Sequence, residues 1–188
     1  GAGIVSLYLG NNKIVFSGDI GRTNDDILYD PTKVKEADYI LCESTYGDRN
    51  HKNINQKDGL AEIINRTVNR GGNLIVPAFA VGRTQLLLYY IHQLKKERKI
   101  PSVPIFIDSP MSIKVTNLLD DFADEHKLTE DECLDMFDDA KFTTTVEQSK
   151  RIFEYTIPSI IISASGMMTG GRILHNIAHY GPDNKNPI

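Results

Sequence analysis

Thiols are scarce in this sequence: Cys42 and Cys133 are its two cysteines. They stand far apart and match no zinc or redox spacing, which excludes a disulfide framework and a cysteine-built metal knuckle. Cys42 sits in an apolar stretch and is expected to be a buried thiol. No apolar run is long enough to cross a membrane, and no stretch reads as a signal peptide, so a cytoplasmic location is expected. Internal repeats and low-complexity segments are absent. Excess positive charge is absent too: the net charge of −4 argues against nucleic-acid binding by the bulk surface, while leaving room for a local basic groove. A dense cluster of histidine and aspartate is also missing. What remains is an ordinary globular composition, 40% hydrophobic and 24% charged over 188 residues, enough for one core and a second lobe.

Two acidic residues stand out against this background. Asp19 closes a short apolar strand (Ile14, Val15, Phe16) within Phe16-Ser17-Gly18-Asp19-Ile20-Gly21-Arg22. Glu43 closes another (Tyr39, Ile40, Leu41, Cys42) within Glu43-Ser44-Thr45-Tyr46-Gly47-Asp48-Arg49. Carboxylates at strand ends, each followed by a glycine-containing turn, suit a site at the edge of an α/β sheet. There they can bind a metal or handle a proton. The His/Asp partners of such a site are not found in these residues.

Along the chain, 4–9 and 14–16 read as a hairpin around Gly10-Asn11-Asn12-Lys13. Residues 24–36 are polar and irregular, with Pro31-Thr32 able to start a helical turn. Residues 50–58 are polar and expected to be mobile. Helical spacing runs from Lys57 to Arg70 and is ended by Gly71-Gly72. A strand over 73–77, a turn over 78–83 and a helix over 84–96 follow. A strand over 103–107 leads through Asp108-Ser109-Pro110-Met111-Ser112 to a helix from about Ile113 to Glu125. Residues 129–139 are acidic and helix-prone, 142–145 suit a short strand and 147–153 a helix, with Glu147 and Arg151 spaced as an i,i+4 pair. A strand over 159–162 then leads through a glycine-rich loop to a helix over 173–180. Alternating strands and helices predict an α/β fold with a mostly parallel sheet flanked by helices. The continuous apolar runs suit strands covered on both faces.

Four segments in order carry a resemblance: Ser17-Gly18-Asp19, Glu43-Ser44-Thr45-Tyr46-Gly47, Pro77-Ala78-Phe79-Ala80-Val81-Gly82-Arg83-Thr84-Gln85, and Ser165-Gly166-Met167-Met168-Thr169-Gly170-Gly171-Arg172. With them the chain resembles the β-CASP ribonucleases of the metallo-β-lactamase superfamily, in particular prokaryotic relatives of the cleavage and polyadenylation specificity factor endonuclease. The resemblance implies that residues 1–55 are part of a metallo-β-lactamase domain and 56–188 most of a β-CASP domain. It implies that Asp19 bridges two zinc ions in the parent protein, and that Glu43 pairs with a histidine acting on the leaving group. The His-x-His-x-Asp-His motif and the later histidine motifs would lie outside these residues. Both ends read as cuts through a larger fold. The fragment alone is expected to hold no zinc, to be inactive, and to self-associate or be marginally stable through exposed sheet edges.

Other residues admit two readings. Gly82-Arg83-Thr84 opens a helix whose free N–H groups attract phosphate, with Arg83 adding a forked contact; alternatively it is a plain cap with Arg83 paired to an acid. In the glycine-rich loop, Gly166 allows close backbone approach while Ser165, Thr169 and Arg172 offer donors to phosphate. The loop lacks dinucleotide spacing. Tyr46 suits stacking on a base or lining a cleft. Asp108 to Ser112 is a cleft-facing loop or a capped helix start. His175 and His179 are four apart on a helix but lack a metalloprotease glutamate. His51, His92 and His126 are expected at the surface.

The resulting expectation is a zinc-dependent ribonuclease hydrolysing phosphodiesters, with Asp19 and Glu43 catalytic, and Arg83, Ser165, Gly166, Arg172 and Tyr46 binding RNA. RNA is the expected partner, with a homodimer as a further one. Endonuclease and 5′-exonuclease action both stay open. The competing readings are an inactive β-CASP RNA-binding scaffold and a lactamase-fold hydrolase of small molecules.

Overall fold

A computed structural model describes residues 3–51 and 54–188. Gly1 and Ala2, and Lys52 and Asn53 within the stretch expected to be mobile, lie outside the described residues. The chain divides into two compact units, one holding residues up to 53 together with Asp124–Lys127, the other holding Ile54–Ala123 and Leu128–Ile188.

The first unit is built on a three-stranded sheet. Strands β1 (Val5–Leu9) and β2 (Asn12–Phe16) form an antiparallel hairpin with Val5 opposite Phe16. Gly10 turns it with a φ of 60°, a backbone region that costs glycine little. Strand β3 (Tyr39–Leu41) pairs parallel to β2, with Phe16 opposite Leu41. Having β2 as its strand neighbour, β3 is an edge, and all three of its side chains are exposed. Cys42 just beyond it is exposed as well, which corrects the expectation of a buried thiol: an apolar run on an edge strand is not necessarily core. His126 corrects the other way. It is buried, because its segment is drawn onto 27–28 by the Leu28–His126 bridge and by the Lys127 N–H donating to the Ile27 carbonyl at 2.7 Å. No helical turn forms at Pro31-Thr32.

The second unit is a four-stranded, all-parallel sheet in the order β4-β7-β5-β6. Its strands are β4 (Leu74–Pro77), β5 (Ile105–Asp108), β6 (Ala140–Phe142) and β7 (Ile160–Ser163). The helices are α1 (Gln56–Asn69), α2 (Arg83–Lys96), α3 (Pro110–Asp121), α4 (Glu130–Asp138), α5 (Val146–Arg151) and α6 (Arg172–Tyr180). Parallel strands need crossovers, and right-handed ones fix the layering. The steps β4 to β5 and β5 to β6 run one way across the sheet, so α2 and the α3–α4 pair share a face. The step β6 to β7 runs back, which puts α5 on the other face, where α6 joins it. There Ile75, Phe106 and Ile161 pack with Ile152, Ile173 and Tyr180. Every residue of β5 and β7 is buried, and each large aliphatic side chain so covered contributes about 1.5–3 kcal/mol.

Local signals explain the boundaries. Asn55 caps α1 by accepting from the N–H groups of Lys57 and Asp58, and Thr129 and Thr145 open α4 and α5 with reciprocal capping boxes. Helix α3 starts three residues before the expected Ile113, because Ser109 caps it and Pro110 occupies its first turn. It ends at Asp121, and a separate 3-10 turn covers Ala123–Glu125. Gly72 packs so closely on the end of the chain that a Cβ there would fall 1.9 Å from the Lys185 carbonyl oxygen.

Candidate active site

In the first unit the parallel pairing of β2 with β3 carries both chains to the same sheet edge. The Ser17 N–H donates to the Leu41 carbonyl at 2.9 Å, and the Glu43 N–H donates to Ser17 Oγ at 2.9 Å. Ser17 thus ties the loop of Asp19 to the loop of Glu43. Asp19 is exposed and Glu43 half-buried. The Thr45 backbone N–H donates to Glu43 Oε2 at 2.9 Å. That bond and then the Thr45 hydroxyl hold the Glu43 carboxyl below the usual carboxylate range, against an opposing effect of desolvation, with a smaller contribution from the Ile20 N–H. A carboxylate held ionised this way accepts hydrogen bonds or orients a cationic partner; it does not serve as a proton donor near neutrality. Tyr46 is exposed on the turn after Glu43, its ring edge-on to His51 at 4.9 Å.

These donors do not by themselves complete a metal site. Zinc takes about four ligands, and among the described residues no three His, Cys, Asp or Glu side chains come together. His175 and His179 are exposed on α6, and His179 stacks on Phe153 at 4.1 Å.

In the second unit the predicted binding residues gather at the C-terminal ends of the parallel strands. The turn before α2 is held by Gln85, whose Oε1 accepts from the Gly82 N–H at 2.7 Å while its Nε2 donates to the Ala80 carbonyl and to Thr116. Arg83 is exposed and makes no ion pair among the described residues. Ser165 is half-buried, and its Oγ accepts from the Met167 N–H. Gly166 lies against Phe79: a Cβ there would come within 2.9 Å of the ring.

Arg172 has a different environment from the one its motif suggests. Its side chain is only 16% exposed, and Nη1 lies 2.9 Å from Asp108 Oδ1. The same nitrogen donates to the carbonyl and hydroxyl of Thr143, and Nη2 donates to the Thr144 carbonyl. Asp108, fully buried at the end of β5, also accepts from Thr143 Oγ1 (2.6 Å), Ser149 Oγ (2.9 Å) and Asn176 Nδ2 (2.9 Å). The sequence reads Asp108 to Ser112 as a cleft-facing loop or a capped helix start, and assigns Asp108 no buried partners. The available signal was that, like Asp19, it closes an apolar strand. The network joins the ends of β5 and β6 to the first turns of α5 and α6, and so anchors the glycine-rich loop.

Tyr180 sits near this cluster, donating to the Ile152 carbonyl at 3.2 Å. Burial, with a smaller contribution from the Asp108 charge, pushes its phenol up to about 12. The folded state therefore keeps the proton that the unfolded chain releases near pH ~10. The stability this contributes is intact below pH ~10 and is lost as the pH rises toward ~12. Chemical denaturation of Tyr180→Phe should show a shallower fall in stability over that window than the wild type. The variant should cost about 1 kcal/mol near neutrality for the lost hydrogen bond. Parallel pH profiles for the two proteins would count against this.

Comparison with known proteins gives these features a context. The model of the Beta-Casp domain matches residues 84–188. Ribonuclease TTHA0252 of Thermus thermophilus is 34% identical over 182 residues, covering 93% of this chain and 42% of that protein. Transcription termination factor FttA of Methanosarcina mazei is 27% identical, covering all of this chain and 31% of that protein. Endoribonuclease YSH1 of Candida glabrata is 26% identical, covering all of this chain and 26% of that protein. The chain thus spans from about a quarter to about two fifths of the length of these relatives. With the family model matching more than half of its residues, and with the parallel α/β unit in place, the chain belongs to the Beta-Casp domain family.

Proposed function

We propose that these residues work as part of a longer ribonuclease that hydrolyses RNA phosphodiester bonds. The observation that carries this reading is the position of Asp19 and Glu43 after adjacent strand ends, tied through Ser17. Relatives named as a ribonuclease and an endoribonuclease support it. In this reading residues 1–55 are part of a metallo-β-lactamase domain and 56–188 most of a β-CASP domain. Asp19 supplies one carboxylate ligand to zinc, of which the whole protein holds two ions. The remaining ligands belong to parts of the protein beyond these residues. Glu43 orients a histidine, as a carboxylate partner commonly does. Arg83, Ser165 and Gly166 meet the RNA backbone, and Tyr46 meets a base. Arg172, its guanidinium already committed to Asp108, Thr143 and Thr144, serves by holding the glycine-rich loop. The reading makes it a cytoplasmic enzyme; no helix among the described residues is long and apolar enough to cross a membrane.

The test is cleavage of a single-stranded RNA by the full-length protein, before and after chelation and again after zinc is restored. Cleavage that is lost and regained is the expected result. RNA binding without cleavage would move the assignment to a scaffold. Cleavage that survives chelation would remove zinc from the reading.

A further inference from the structure

The sheet of the second unit ends in loops that leave large apolar side chains in solvent. Phe79 is 54% exposed and Val81 60% after β4; Met167 is 65% exposed after β7, and Met111 64% after β5. Strands β4, β7 and β5 are successive neighbours, so the three loops lie side by side. Phe79 is seated and not merely dangling. Because Gly166 lacks a Cβ, which would stand 2.9 Å from Cδ2 and 3.0 Å from Cε2, the ring rests on its backbone and leaves the rest of its surface open. Met111 and Lys114 border a cavity of about 450 Å³ together with Ala164, Gly171 and Arg172. That cavity lies where α3 leaves β5 on one face and α6 leaves β7 on the other, the place where open parallel sheets form a ligand crevice.

The free charge on the segments that follow β4, β5 and β7 has one sign; Glu147, exposed in the first turn of α5 after β6, lies outside them. Arg83 and Lys114 are exposed and make no ion pair among the described residues. Helices α2, α3 and α6 all begin here, each with a partial positive charge at its N-terminus. Asp108 is the one carboxylate in the three loops (77–83, 108–114 and 163–172), and it is buried against Arg172. A flat aromatic face beside methionines, on segments that carry free cations and no free carboxylate, complements a chain of bases on a polyanionic backbone.

We propose that this edge is a stacking surface for single-stranded RNA, with Phe79 as the base platform and Arg83 and Lys114 on the phosphates. The proposal rests on the ribonuclease reading and adds Phe79 and Lys114 to it.

The test is binding of a short fluorescent oligoadenylate RNA to full-length protein, with cleavage followed in parallel. Phe79→Leu keeps an apolar side chain over Gly166 but removes the π face, and should weaken binding about tenfold. Phe79→Trp should bind as tightly as wild type. Lys114→Gln should lower the slope of log affinity against log salt by about 1. Matching thermal unfolding midpoints would show that the variants are folded. If the wild type cleaves RNA while Phe79→Leu binds it unchanged, or if Leu and Trp weaken binding equally, the platform is wrong and the nuclease reading stands. If the wild type neither binds nor cleaves RNA, both fall together.

Discussion

Asp19→Asn in the full-length protein should lower RNA cleavage by more than ~100-fold. The size follows from comparison: residues that merely orient a metal ligand typically cost 10–100-fold when replaced, so a ligand itself should cost at least the upper end. The fold itself should hold, since Asp19 is exposed in the loop after β2, and any fall in the unfolding midpoint should be the part contributed by bound zinc. The competing view, that Asp19 only shapes an Asx turn, predicts the opposite pattern, since asparagine fills that role equally well and activity would persist. Glu43→Gln provides an internal comparison. The amide oxygen still accepts from the Thr45 N–H, so the loop should hold, but the charge that Thr45 and Ile20 stabilise is gone. A loss of about 10–100-fold is expected for a residue that orients a partner. Zinc content separates the two: it should drop in Asp19→Asn and stay near wild type in Glu43→Gln. Full activity in Asp19→Asn would remove the carboxylate pair as the basis of the assignment.

How far the sequence foretells this depends on the range of the forces involved. Strands β4, β5 and β7 are legible because they are covered on both faces, so Leu74-Ile75-Val76 and Ile160-Ile161-Ile162 stay apolar without interruption, whereas β6 (Ala140–Phe142), partly covered and with Lys141 exposed, lies ahead of the 142–145 expected for it. The start of α3 is misread by periodicity, which first shows at Ile113. The chemistry of Ser109 and Pro110 sets the boundary a turn earlier. Cys42 and His126 defeat local reading altogether. Burial at β3 depends on how many strands flank it, and burial of His126 depends on a bridge to Leu28, far away in the chain. The site divides the same way. Asp19 and Glu43 can be picked out as strand-end carboxylates, and parallel pairing then sets them at one edge. Arg172 looks like a free phosphate donor until its partner, 64 residues away, is known. No local pattern announces that pairing, because it is made by the order of strands in the sheet.

That pairing sets the largest stability effect expected in the chain. Asp108→Ala should destabilise the second unit by about 3–5 kcal/mol, the usual cost of leaving one half of a buried ion pair uncompensated. Three further donors lose their acceptor at the same time: Thr143 Oγ1, Ser149 Oγ and Asn176 Nδ2. Asn176 already has its Oδ1 buried without a partner, so the cluster has little slack to rearrange. Asp108→Asn should be nearly as damaging. The amide keeps the shape but turns one oxygen into a donor facing donors, and it removes the charge opposite Arg172. For a unit of this size the thermal midpoint should fall by roughly 10 °C or more. A double-mutant cycle locates the cause. If Arg172 and Asp108 act as a pair, Arg172→Ala combined with Asp108→Ala should cost clearly less than the sum of the two single changes. Additive costs would mean that Asp108 holds the sheet edge through Thr143, Ser149 and Asn176 alone. In that case Arg172 would anchor the glycine-rich loop through its bonds to Thr143 and Thr144, without energetic help from Asp108.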